Sequence, residues 1–542
     1  MVADTQSLPN ETAPLLSPTP NSDPPSNNNN NGSNSNNGRK KLLILVACGI
    51  FILAADFGFF LSQAPQTAIF EQIICRNYLL NSRDDMNASL VNSPAEDPCK
   101  SELVQGELAL INGYKETFDV LPSILLSLPY GVLADHWGRK PVLYLGVVGI
   151  ILGEFWVRLV AAWPTVLPLR MVWMTALFRI IGGGDQVITS MAIAMVADVF
   201  SEEERSTAIF RLSSCVLIAE ILATPFSAYL MTFDIWYPYI LGLVVVVVGT
   251  LPAIFIPETL ADAKAKMKTH QDEAPLASIE GMEPPSKQPM LQEIIHQARE
   301  FKKSTRFIWR DGNICLLVII AGVGYMSRQS TGLLMQYASK KFNWSIGKVR
   351  TTLRHLTRWQ GAYVLLTWRN QASLLISLRG IFSLSNYLVL MPAFNSIAGK
   401  FFDLHGKYRD YRLTQVTSVF TAVGFGIMAF APVPGILIWG LVFLSIGLGF
   451  LVATRTLVTA LVLPNHIGTL YSALAISQAL GGVIAGPLFA YLFRLGMHLG
   501  NAWMGLPWLQ ASVIFILVSI VSWYIRVRDP ISHDEEEPLL AE

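Results

Sequence analysis

Long apolar stretches alternate with short polar ones from residue 42 to residue 526. A helix that crosses the hydrocarbon core of a bilayer needs about 20 mostly apolar residues. Twelve stretches meet that need, at 42–64, 115–134, 141–163, 172–195, 208–231, 236–256, 313–336, 372–394, 413–431, 435–458, 466–494 and 504–526. They are numbered spans 1 to 12. The pattern predicts an all-α, polytopic membrane protein with twelve transmembrane helices.

Lys and Arg between the spans orient them, because these residues are enriched in cytosolic loops. Arg39, Lys40 and Lys41, then Arg139 and Lys140, then Arg205 and Arg211 fall on one side. Lys264, Lys266, Lys268, Lys302, Lys303, Arg306, Lys400, Lys407, Arg409, Arg526 and Arg528 fall on the same side. The opposite loops at 234–237 and 431–435 carry neither Lys nor Arg. Both tails are expected in the cytosol, which an even span count requires.

The chain divides accordingly. Residues 1–38 are rich in Asn, Pro and Ser, and are expected to be a disordered cytosolic tail with no removable signal peptide. Six spans follow in 39–257 and six more in 312–527, separated by a cytosolic loop at 258–311. The end of that loop spaces Ile294, Ile295, Ala298 and Phe301 as an amphipathic helix would, lying on the inner leaflet. Residues 528–542 form an acidic cytosolic tail. Each tail holds an acidic-dileucine string, Glu11 with Leu15 and Leu16, and Glu535 with Leu539 and Leu540. Such strings resemble signals read by sorting adaptors, so a vacuolar membrane stands beside the plasma membrane as an expected location.

The first outer loop, 65–114, contains Cys75, Cys99 and a glycosylation sequon at Asn87. On an oxidising face a Cys75–Cys99 disulfide is expected, the alternative being two free thiols. Cys48, Cys215 and Cys315 lie in spans and read as packing residues. Residues 349–371 break the pattern, since Arg350, Arg354, Arg358 and Arg369 would face outward against the charge rule. Two readings stand for them, a basic outer loop and an intron retained in the coding sequence. Val codons begin with GT, a Gln codon can end in AG, and omitting the segment joins its flanks smoothly.

Composition narrows the class. Charged residues are 15% of the 542, against roughly 25% in soluble domains, too few to clothe a soluble protein of this length. Lys plus Arg (40) and Asp plus Glu (39) nearly cancel, which excludes a global nucleic-acid footprint. The five cysteines form no Cys-x-x-Cys. Neither His-Glu-x-x-His, nor Gly-x-Ser-x-Gly, nor a phosphate-binding Gly-x-x-x-x-Gly-Lys-Ser/Thr loop occurs. No enzyme activity, ATP-driven pumping, metal or other cofactor is expected.

The sharpest motif is GVLADHWGRK, from Gly131 to Lys140, between spans 2 and 3. Gly131 allows helix backbones to approach, Asp135 can cap a neighbouring helix or pair with Arg139, and Gly138 permits a tight turn. This string resembles the signature loop of the major facilitator superfamily, Gly-x-x-x-Asp-x-x-Gly-Arg-Lys, at the place where that family carries it. His136 stands where the family usually has Arg. Gly399, Asp403, Gly406 and Lys407 echo the spacing after span 8. Arg179 and Gly183 resemble the family's Arg-x-x-x-Gly motif on span 4, whose Arg is linked to proton transfer or substrate contact. The Gly-Pro pair associated with antiporters is missing from span 5, where Pro225 stands alone.

The resemblance covers 39–527 and implies the major facilitator fold, two six-helix pseudo-symmetric bundles that rock about a central site. The long outer loop and LPYGVLAD on span 2 resemble the branch containing proton-coupled folate transporters. Asp198 and Arg205, with Glu203 and Glu204, form a second anchor set after span 4. The expected inner latch pairs Arg139 with Asp198 and sets Asp135 against the start of span 11, the plainer reading being a solvated turn.

Charges within spans are expensive in hydrocarbon and need partners or water. Glu154 and Arg158, four apart, are expected to pair. Asp56 and Glu220 are the expected coupling acids, with Arg179 as their switching partner and Asp185 beside it; the alternative is fixed ion pairs. Arg328 and Arg379 leave the second half positive, which suits an anionic substrate, although Arg328 could snorkel outward. Tyr325, Gln329 and Gln478 are further substrate-binding candidates. The expectation is a secondary active transporter of a small organic solute, coupled to protons. The alternative is a non-transporting nutrient receptor on the same fold.

Overall fold

The computed structural model describes residues 30–84, 98–200, 202–260, 306–342, 374–390, 406–462 and 467–525, with isolated positions between some of these. Asn87, the dileucine strings of both tails, most of the central loop, residues 349–371, Gly399 and Asp403 lie outside the described residues. So do the side chains of Arg205, Arg328, Gln329 and Lys407.

No described residue lies in a strand. The first half is built from α1 (Asn30–Asp84), α2 (Glu102–Trp137), α3 (Arg139–Ala162), the short α4 (Thr175–Arg179), α5 (Gly184–Val199), α6 (Glu202–Leu230) and α7 (Trp236–Thr250). After the short α8 (Arg306–Arg310), the second half holds α9 (Gly312–Lys341), α10 (Leu374–Ser385), α11 (Gly406–Ala429), α12 (Pro434–Gly447), α13 (Gly449–Ala460), α14 (Ile467–His498) and α15 (Leu506–Ser522).

Each of the twelve predicted stretches is mostly helical over its described residues. Spans 4 and 10 are each divided, into α4 with α5 and α12 with α13. Among the described residues six helical segments are long and apolar enough by themselves to cross a membrane, including Gly38–Leu80, Glu102–Trp137 and Ala473–His498. Others are shorter apolar helices, such as Ser214–Leu230 and Leu506–Ser522.

Local chemistry sets the boundaries. Gly138, at φ +109°, ends α2 and begins α3 in one residue. The Asp311 side chain accepts from the Asn313 amide at 2.8 Å and caps α9. Proline occupies the first turn of α12 and of α15, where no intrahelical donor is lost.

In the first half α1 packs on α6 and α7, and α3 on α5. In the second, α9 packs on α14, and α11 on α12, α13 and α15. The halves meet where α2 crosses α14 and where α6 crosses α10. "Inner" below means the side of the Lys- and Arg-rich loops. The first half has an inner apolar core around Ile44, Val142, Val196 and Ile256. It has an outer core around Phe70, Val157, Val172 and Tyr239. A third core fills the second half and takes in Ala64, Ala68 and Ala109 from across the seam.

Candidate functional site

Span 4 is interrupted near its middle. Gly182, Gly183 and Gly184 have φ of +89°, +77° and +76°, a run in the left-handed region that side chains with a Cβ avoid. Gly182 lies against the backbone of Gly146 on α3, with no room for a Cβ. Tyr130 of α2 holds the break: its hydroxyl donates to the Ile180 carbonyl at 2.9 Å and accepts from the Gly182 amide at 2.8 Å. Irregular backbone at membrane depth is tolerated only where protein or a water-filled cavity covers it.

A charge network surrounds the break. Arg179, just before it, lies 3.1 Å from Asp119 Oδ1, 2.5 Å from Asp185 Oδ1 and 4.0 Å from Glu154 Oε1. Lys115 Nζ donates to Asp119 at 2.8 Å. Arg158 donates to Glu154 at 2.7 Å, to the Tyr239 carbonyl at 3.0 Å and to Ser62 at 2.8 Å. Three cations thus face three carboxylates. The Arg179 side chain is 6% exposed, whereas that of Asp185 is 60% exposed. An ionised side chain avoids hydrocarbon, and Asp185 is the strongly exposed member of this network. Gln186, Thr189 and Ser190 are also exposed along the inner half of span 4. The hydroxyls of Thr189 and Ser190 return to the carbonyls of Asp185 and Gln186 at 2.9 and 2.7 Å.

These contacts correct the expected pairing. Arg179 is held by Asp119, Asp185 and Glu154, not by Asp56 and Glu220. Lys115 and Asp119 were not singled out from sequence, because they sit at the start of span 2, where charge reads as the membrane boundary. Glu154 and Arg158 do pair, although Glu154 also serves Arg179. Asp56 is half-buried on α1, within electrostatic reach of Cys215 on α6. Glu220 forms an ion pair with Arg379 across the two halves. Arg379 therefore does not leave the second half positive. Arg455 on α13 is exposed and donates to Gln478 of α14 at 3.1 Å. Tyr325 is half-buried on α9.

The inner loop is tied differently from expectation in part. Arg139 pairs with Asp135 at 2.6 Å and approaches Asp198 at 3.6 Å. Asp198 also accepts from the Thr259 hydroxyl at 2.8 Å. Asp135 turns to Arg139 on its own loop and is half-exposed; the residues just before α14 are outside the described ones. A side chain at Gly131 would meet open space, so no close helix approach occurs there. Glu258, in IPETL after span 6, accepts from the amides of Arg139 at 2.9 Å and Lys140 at 3.1 Å. It caps α3 where the helix dipole favours an anion. Lys140 reaches the Ile254 carbonyl at 2.8 Å.

On the outer side, Cys75 and Cys99 are joined, with Cα atoms 5.0 Å apart. The adjoining Lys100 donates to Glu71 and to Ser339 of α9, each at 2.5 Å. Deeper in the seam, Thr117 donates to the Val483 carbonyl at 3.0 Å and Gly113 meets Gly486 backbone to backbone. These joins, and Glu220–Arg379, lie in the outer halves of their helices. Among the described residues no group of three or more His, Cys, Asp or Glu is placed to hold a metal ion.

The sequence profile described as Major Facilitator Superfamily matches residues 117–368. The chain is 32% identical over 492 residues to an MFS-type transporter, avaK, of Aspergillus versicolor, covering 91% of this chain and 94% of that one. It is 33% identical over 476 residues to an efflux pump, ustT, of Aspergillus flavus, covering 87% and 86%. Among solved structures it superposes on a D-xylose–proton symporter with a TM-score of 0.54 at 12% identity, over 90% of this chain and 98% of that one.

Proposed function

The chain belongs to the major facilitator superfamily of membrane transporters, and from that premise we propose that it moves a small organic solute out of the cytosol by alternating access, coupled to protons. The observation that carries this reading is the sharing of Arg179 among Asp119, Asp185 and Glu154, at a break in span 4, with Asp185 alone strongly exposed. Outward movement is taken from the relatives named as efflux pumps. A non-transporting receptor would have no use for an exchangeable carboxylate at the cavity wall.

While Asp185 is ionised it holds Arg179 and with it the outer segment of span 4. Protonation removes that charge and leaves Arg179 to Asp119 and Glu154. The two halves of span 4 are then free to change angle at the glycines. Proton occupancy is in this way converted to helix geometry, the link that secondary transport needs. For the solute, Gln186, Thr189 and Ser190 offer hydrogen bonds from the first half. Arg455 with Gln478 offers a cation and an amide from the second, which suits a solute with an acidic group. Tyr325 is placed on α9, with Arg328 and Gln329 one turn on.

The test is transport in inside-out vesicles with an imposed pH gradient, using the solute that accumulates in cells lacking the gene. Gradient-driven uptake by the wild type is expected. Asp185→Asn is expected to abolish the response to the gradient while solute exchange persists. Gradient-insensitive transport by the wild type would end the proton reading.

A further inference from the structure

Glu116 takes no part in the network around Arg179. It follows Lys115 on α2 but points the other way, into the outer seam between the halves. The seam face of α2 runs through Gly106, Gly113, Glu116 and Thr117, at helical spacing. Gly106 meets the Arg494 stem, Gly113 meets Gly486, and Thr117 bonds the Val483 carbonyl. Glu116 lies against Gly332 of α9, where a Cβ would come 2.8 Å from its carboxylate. Gly332 is thus the notch that admits the side chain.

Next to this notch stands Gln336, fully buried, with neither its amide nitrogen nor its oxygen hydrogen-bonded among the described residues. Glu116 and Gln336 border a cavity of about 20 Å³. That is room for one water molecule, which needs roughly 10–15 Å³. The amide can donate to a carbonyl oxygen of the acid and accept from its hydroxyl, directly or through that water.

Among the described residues no cation faces Glu116 across the seam; Arg328, one turn before Gly332 on α9, has its side chain outside them. The lining of the cavity from α9 and α14 is Gly332, Leu333, Gln336, Gly486 and Phe489, none of them titratable. On its own helix the charged neighbours are Lys115, already bonded to Asp119, and Asp119 itself. A half-buried carboxylate set among Asn112, Gln336 and otherwise apolar side chains, with no described counter-ion across the seam, is disfavoured relative to the neutral acid. Opening the seam would return it to water.

We infer that Glu116 is a second proton-binding site, which takes up a proton from the outer side as the seam between α2 and α9 closes. The closed seam binds one proton more than the open one, so raising the pH favours opening. Each pH unit shifts the open-to-closed ratio by up to about tenfold for one proton. In transport, the proton loaded from outside is what shuts the outer gate after the solute has left. The inference rests on the alternating-access part of the proposed function and on none of its assignments at Asp185.

The experiment measures the gate and not transport. Spin labels are placed at Leu103→Cys and Leu499→Cys, exposed positions at the outer ends of α2 and α14, in full-length protein in nanodiscs. Cys48, Cys215 and Cys315 are replaced by Ala and the Cys75–Cys99 disulfide is kept. Electron–electron distances are recorded from about pH 5 to about pH 8, the range over which an enclosed carboxyl titrates. The wild type is expected to pass from a short to a long distance as pH rises. Glu116→Gln is expected to stay short throughout. Glu116→Asp, still ionisable, is expected to keep a transition with a displaced midpoint. A pH-independent wild type overturns the inference, as does a Glu116→Gln protein with the wild-type transition. If the Gln variant does not fold, an undisplaced midpoint in Glu116→Asp overturns it. Asp185→Asn is expected to retain the transition, so failure of coupling at Asp185 leaves this result standing on its own.

Discussion

Glu220 on span 5 and Arg379 on span 8 form an ion pair that belongs to neither half of the molecule. Gly380 beside it packs closely on Ile221, whose side chain would lie 3.1 Å from an added Cβ. The pair is buried, and removal of one partner takes this ion pair from the other charge. Glu220→Gln alone is expected to destabilise by about 3–5 kcal/mol, and Arg379→Gln similarly. The double variant is expected to lose clearly less than the sum. Thermal unfolding of the four proteins in detergent gives the coupling energy; strict additivity would mean the two side chains do not interact.

Arg179 reaches three carboxylates because a guanidinium is a planar fork. Lys offers one point charge and cannot span Asp119, Asp185 and Glu154 together. Arg179→Lys is expected to lower the transport rate at least about tenfold, the counterpart of roughly 1.4 kcal/mol for one lost charge-assisted contact. Initial rates at saturating solute measure it. A rate within twofold of wild type would show that one of the three contacts is idle.

Gly183 has φ +77°, and an added Cβ would meet Tyr130 and Val187. Gly183→Ala is expected to destabilise by at least about 1–2 kcal/mol, the left-handed penalty alone. Tyr130→Phe, which removes both hydrogen bonds to the break, is expected to cost about 1–3 kcal/mol. Amide hydrogen exchange should report the difference locally, with faster exchange at Gly182 in the Phe variant and little change on α11.

Glu258 caps α3 through two backbone amides. Glu258→Ala is expected to cost about 1–2 kcal/mol, and Glu258→Gln less, since an amide oxygen still accepts. Limited proteolysis at the α2–α3 junction, 138–140, should accelerate in the Ala variant. Equal protection in wild type and Ala variant would remove the cap from the account.

The Cys75–Cys99 bond closes a loop of 24 residues in sequence. Reduction is expected to lower stability by about 3 kcal/mol by the chain-entropy estimate. Because Lys100 is the next residue, reduction should also loosen its hold on Ser339. Labelling of an outer-seam cysteine by an impermeant reagent should rise in Cys75→Ser together with Cys99→Ser, and equally in Lys100→Ala.

Much of this was legible in the amino-acid order, for definite reasons. A bilayer fixes span length, so twelve apolar stretches could be counted before any packing was known. The loop from Gly131 to Lys140 announced itself because charged residues at fixed spacing between spans are rare. The partners were not legible. Arg379 looked like an unpaired cation because nothing in the order of residues says that spans 5 and 8 cross. Arg179 was assigned to Asp56 and Glu220 because the rotation of span 4 about its axis is invisible from spacing. Lys115, Glu116 and Asp119 escaped notice because the first turn of an apolar stretch is where charge is ordinarily unremarkable. Gly182 to Gly184 were visible as a motif, but that all three adopt left-handed backbone depends on Gly146 and Tyr130, brought there by two other helices.

Helix α5 begins at the glycine joint and carries Asp185 in its first turn and Asp198 in its last. Its 16 residues make a rod of about 24 Å. A swing of about 10° at the joint moves the far end by about 4 Å, from the same rise per residue. That exceeds the 3.6 Å separating Asp198 from Arg139. In the proposed mechanism the glycines are the fulcrum of a lever: a change of charge at Asp185 too small to be felt 20-odd ångströms away as a field would arrive there as a displacement, large enough to unfasten the inner loop.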